Sequence, residues 1–112
     1  MARITERQPV GSPVVFGYLR GPATGDRRDL ALSAAIKAYC DQHELFLGGV
    51  FTERVGVGDL NDSVFANLIA ELRVMQPYGV VLPSRSHLGP PNVAVSREEQ
   101  ISTCGALLIA VR

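Results

Sequence analysis

Two cysteines, no tryptophan and few aromatic residues are what this 112-residue sequence is short of, and each scarcity removes a reading. Cys40 and Cys104 are too few and too far apart for a zinc motif or a disulfide framework, so no metal site is expected and both thiols are read as core packing. Surplus charge is missing as well. Eleven Lys and Arg offset eleven Asp and Glu, and the pI is about 6.7. Duplex-binding modules usually carry a basic excess, because neutralising phosphates supplies much of their affinity. Nucleic-acid binding is therefore disfavoured and is left only a local patch. No apolar run approaches the roughly 20 residues of a membrane span. The opening Met1–Gln8 has no apolar stretch of the secretory kind. A cytoplasmic protein without a membrane partner is expected.

At 12.0 kDa the chain is long enough for one domain with a real core and too short for two. Residues 1–13 are polar and hold Pro9, Gly11 and Pro13, which reads as a flexible leader to a domain over 14–112. Val14–Arg20, Val-Val-Phe-Gly-Tyr-Leu-Arg, is the most informative stretch. An apolar run between Pro13 and Gly21 suits a strand covered on both faces, as in a parallel sheet. Tyr18 is expected to bury its ring and keep its hydroxyl bonded. Arg20 is placed at the carboxyl edge, where open α/β sheets bind ligands.

Leu32, Ala35, Ile36, Tyr39, Cys40 and His43 trace one face of a helix over about Asp29–His43, with Asp26 or Asp29 as its cap and His43 half-buried at its end. Leu45–Glu53 reads as a second strand whose Gly48-Gly49 suggests a bulge. Phe65, Leu68, Ile69 and Leu72 mark a helix over about Asp62–Gln76, stopped by Pro77. Tyr78–Leu82 is a third strand and Pro83–Asn92 a loop. Ser96-Arg97-Glu98-Glu99 has the form of a capping box that starts a short helix ending at Gly105, and Ala106–Val111 is a fourth strand. This βα alternation predicts a four-stranded, mainly parallel sheet in the order 2-1-3-4 with helices on both faces.

With these elements placed, the chain resembles the N-terminal catalytic domain of serine recombinases, the resolvase/invertase family. The likeness spans roughly Val14–Val111. It is carried by Gly17-Tyr18-Leu19-Arg20, by the strand ending Val50-Phe51-Thr52-Glu53, by the helix Phe65–Arg73, and by Gly79-Val80-Val81-Leu82 followed by Leu88-Gly89. The resemblance implies a serine nucleophile two residues after the Tyr-x-Arg arginine, where this chain has Pro22. The family's Asp-Arg before Leu-Gly falls on Ser86 and His87, its second arginine on Pro90, and an arginine near the start of the next helix on Asp62. Arg20 alone survives clearly, so the resemblance implies the fold while the residues argue against the activity.

Three residues, Arg20, Arg85 and His87, are candidates for holding an anion at the carboxyl edge of strands one and three; the competing reading makes them a strand-end residue and two solvated loop side chains. Ser84 or Ser86 with His87 invites a hydrolase reading, but sequence neighbours rarely face each other as nucleophile and base, and no G-x-S-x-G elbow surrounds them. Thr24 is a second, displaced nucleophile candidate. No catalytic residue and no cofactor are assigned. The expected function is a non-catalytic, resolvase-like interaction or regulatory module, a homo-oligomer or the partner of another protein. The alternative is a divergent serine recombinase, or a recombinase accessory, acting on DNA.

Overall fold

The protein is represented by a computed structural model that describes residues 11–22, 26–55 and 61–112. Chain order is β1 (Val14–Pro22), α1 (Asp26–Gln42), β2 (Phe46–Val55), α2 (Asn61–Met75), β3 (Gly79–Leu82), a 3-10 turn (Arg85–Leu88), α3 (Pro91–Thr103) and β4 (Leu107–Ala110). The strands form one sheet in the order β2-β1-β3-β4, and every pair is parallel. The expected four-stranded α/β architecture is present, and parallel throughout.

Alternation along β1 divides the core. Val15 and Leu19 turn to Ile36 and Cys40 of α1, joined by Val81. Phe16 and Tyr18 turn the other way, to Phe65, Leu68 and Leu72 of α2 and Ile101 of α3. A period of two in the central strand thus puts α1 on one face and α2 with α3 on the other. The Gly48-Gly49 bulge is real. Between Val15↔Leu47 and Gly17↔Val50, β2 uses one more residue than β1. A side chain at Gly48 would meet the Phe16 ring, its Cβ 3.0 Å from Cε1.

Two expectations need correction. Ser96–Glu99 does not begin a helix: α3 starts at Pro91, five residues earlier, with Pro90 as its cap. Proline suits that first position because the amide it lacks would have had no helical partner anyway. Ser96 lies mid-helix and accepts a bond from Gln100 Nε2 at 3.3 Å. His43 is exposed rather than half-buried, because α1 ends at Gln42 and the imidazole stacks on Tyr39 with centroids 4.1 Å apart. Of the expected leader only residues 11–13 are described, and Thr24 lies outside the described residues. Among the described residues no helix is long and apolar enough to cross a membrane.

Candidate functional site

Where β1 and β2 end side by side, Arg20 is in register with Glu53. Glu53 is 1% exposed. A buried carboxylate is tolerated only when its lone pairs and its charge are matched, and here they are. Oε2 accepts Arg20 Nε at 3.1 Å, while Oε1 accepts Arg97 Nη1 at 2.9 Å and the Tyr18 hydroxyl. Arg97 Nη1 also donates to the Tyr18 oxygen at 3.0 Å, and its guanidinium lies over the Phe65 ring, 4.7 Å from the centroid. Burial, and then the bond to Glu53, push the Tyr18 hydroxyl well above its usual pKa, so it remains a neutral donor. One carboxylate from β2 thereby joins β1 to α3.

On the other side of the strand end, guanidinium groups take the backbone carbonyls. Arg28 Nη1 donates to Arg20 O and Arg54 Nη1 to Pro22 O, both at 3.3 Å, and Arg54 also pairs with the buried Asp29 carboxylate. The Arg20 amide donates to His87 Nδ1 at 2.9 Å. Burial, followed by the nearby Arg28 and Arg20 cations, lowers the His87 pKa. A neutral imidazole that accepts at Nδ1 carries its proton on Nε2. His87 is therefore a donor, which deprives the Ser84/Ser86 hydrolase reading of its base.

The three anion candidates part company. Arg20 and His87 meet, but through the Arg20 backbone, while the Arg20 side chain goes to Glu53. Arg85 turns to α3, where its Nη2 and Nη1 reach Glu98 at 2.5 and 3.2 Å. That pairing raises the Arg85 pKa and lowers that of Glu98. Ser84 and Ser86 lie hydroxyl to hydroxyl at 2.8 Å. Gly89, with φ at +108°, ends the 3-10 turn; a Cβ there would stand 3.9 Å from Arg20 Cζ. Pro22 is the exposed last residue of β1, so Arg20-Gly21-Pro22 presents no hydroxyl.

Glu53, Arg97 and Tyr18 form a closed polar cluster, in which the residue pattern predicts a bonded Tyr18 hydroxyl but neither of its partners. The signals were there. Arg97 stands four residues before Ile101, on the buried stripe of α3, and Glu53 lies near the end of β2 in register with an arginine. Among the described residues no group of three or more His, Cys, Asp or Glu is placed to hold a metal ion.

No protein-family model and no curated protein matches the sequence. Solved structures do match its fold. The C-terminal catalytic domain of ISC1926 TnpA, an IS607-like serine recombinase, superposes with a TM-score of 0.73 at 16% identity, over 88% of this chain and 70% of that one. A resolvase family site-specific recombinase from Streptococcus pneumoniae gives 0.72 at 16% identity, over 89% and 72%. A serine recombinase from Sulfolobus solfataricus gives 0.62 at 18%, over 90% and 69%. The fold is that of serine recombinase catalytic domains.

Proposed function

We propose that this chain is a non-catalytic domain of recombinase-like fold that works by binding, as an interaction or regulatory module associating with copies of itself. One observation carries the non-catalytic half. Four arginines around the strand ends are committed to the protein's own carboxylates: Arg20 and Arg97 to Glu53, Arg54 to Asp29 and Arg85 to Glu98. A site built to stabilise charge developing on a phosphate needs its cations aimed at that charge, and each of these is bonded to a carboxylate of its own chain, Arg20 and Arg97 sharing Glu53. Pro22 at the nucleophile position implied by the resemblance agrees.

Support for self-association comes from the opposite end of the sheet. Val74 and Met75 at the end of α2, Tyr78 before β3 and Leu107 at the start of β4 are large, apolar and exposed. Tyr78 and Leu107 adjoin, since the Leu107 amide donates to Tyr78 O at 3.0 Å. Clustered exposed apolar side chains mark association surfaces. Sedimentation velocity over a concentration series tests this. A dimer that Leu107→Lys dissociates is expected, and a monomer at every concentration removes the reading.

The second reading, a divergent recombinase or recombinase accessory acting on DNA, is favoured by the fold likeness. It requires guanidinium groups released from their carboxylates and, for cleavage, a nucleophile such as Thr24.

A further inference from the structure

Behind the strand ends, on the face of the sheet covered by α1, lies a cavity of about 300 Å³. It is separate from the Glu53 cluster, which faces α2 and α3. Its polar side is made by Arg28, Ser84, Ser86, His87 and Arg112, and its apolar side includes Leu32 and Val111.

We propose that this cavity binds the phosphate group of a small organic phosphomonoester. The lining groups are donors. His87 uses Nδ1 to accept the Arg20 amide, which leaves Nε2–H for the cavity it lines. Of the two serine hydroxyls 2.8 Å apart, one proton serves the other oxygen and the second is left for a ligand. Arg28 and Arg112 bring two guanidinium groups, and among the described residues no carboxylate side chain lines the cavity. Two cations together with hydroxyl and imidazole donors suit a dianion with three terminal oxygens better than a carboxylate with two.

Size and apolar walls narrow the class. A volume of about 300 Å³ is at the small end for ligand sites. It holds a phosphate and a short carbon skeleton, the latter against Leu32 and Val111, but not a diester with bases on both sides. Burial first, and then the Arg28 and Arg20 cations, lower the His87 pKa against Asp29, so the imidazole beside the cavity is held neutral. The inference holds whether or not the domain self-associates.

Amide chemical shifts and calorimetry of the whole chain test it, with glycerol 3-phosphate, inorganic phosphate, glycerol, and dinucleotides bearing a 5′-phosphate or a 5′-hydroxyl as probes. Glycerol 3-phosphate is expected to bind, to shift the Ser84–His87 amides, and to exceed inorganic phosphate; glycerol and the 5′-hydroxyl dinucleotide leave them unmoved. Binding by the 5′-phosphorylated dinucleotide as well would identify a nucleic-acid end as a source of the same group, and its failure a metabolite. Arg28→Ala is expected to weaken binding about tenfold or more, the loss of one charge-assisted bond. His87→Asn, which keeps an acceptor for the Arg20 amide but loses the Nε2 donor, is expected to weaken it without unfolding the protein. No shift at Ser84–His87 with either phosphomonoester up to about 10 mM, where a Kd near 1 mM would register, overturns the proposal. So does undiminished binding by Arg28→Ala.

Discussion

His87 seals the end of β1 by accepting the Arg20 backbone N–H on Nδ1, a 2.9 Å bond between residues 67 apart in sequence. Only 6% of His87 is exposed, so the bond ties the 3-10 turn to the central strand in a poorly hydrated place. Removing the acceptor strands a buried amide. His87→Ala is expected to cost about 1–3 kcal/mol in urea unfolding.

The burial of His87 also makes stability depend on pH. Burial and the Arg28 and Arg20 cations hold the folded-state His87 pKa below the ordinary 6.5, while Asp29 acts in the opposite sense. Well above 6.5 the imidazole is neutral in both states. As the pH falls below 6.5 the unfolded chain takes up the proton first, so stability is lost progressively until the folded-state pKa is passed. The melting temperature of the wild type is expected to fall over this window. His87→Asn, which keeps an acceptor but does not titrate, is expected to flatten the fall.

Glu53 is the keystone of the α2/α3 face. Glu53→Gln removes the charge that balances Arg97, whose side chain is 8% exposed, and is expected to cost about 3–5 kcal/mol. Pairing it with Arg97→Met removes the buried cation too. The double variant is expected to be more stable than the sum of the single losses, a coupling read from a double-mutant cycle in urea.

Three glycines separate rigid from yielding neighbours. A Cβ at Gly79 would come within 2.8 Å of the Leu107 carbonyl oxygen, which belongs to the β3–β4 ladder. At Gly17 it would meet methyl groups of Val50 and Ile36 at 3.1–3.3 Å. Gly79→Ala is therefore expected to destabilise more than Gly17→Ala, for which about 1–3 kcal/mol of overpacking is expected. At Gly21 the nearest atom is Arg28 Nη1, the far end of a flexible side chain. Gly21→Ala is expected to leave stability within about 0.5 kcal/mol while weakening glycerol 3-phosphate binding by displacing that guanidinium.

Much of the architecture was legible because it rests on local patterns. The apolar run Val14–Leu19 marks a strand buried on both faces, and Phe65-Leu68-Ile69-Leu72 marks the inward stripe of α2. The paired glycines at 48–49 announced the bulge. The start of α3 was misread because Ser96–Glu99 satisfies a capping pattern locally, whereas the turn at Gly89 and two prolines set the helix earlier. The site was less legible, since its bonds join residues far apart. Arg97 and Glu53 are 44 positions apart, and Arg20 and His87 meet through a backbone amide that no side-chain pattern encodes. Arg85 resembled a phosphate ligand until Glu98, 13 residues on, supplied its partner.

The central claim is that Arg20, Arg54, Arg85 and Arg97 serve the protein's own carboxylates and not a DNA backbone. It is tested most directly by titrating the protein into a fluorescent duplex with 5′-hydroxyl ends at low salt, following anisotropy. Free guanidinium groups neutralising several phosphates would give binding that weakens steeply with salt, the logarithm of the constant falling about 0.9 per phosphate for each decade of salt. No saturable binding is the expected result; tight, salt-sensitive binding would contradict it.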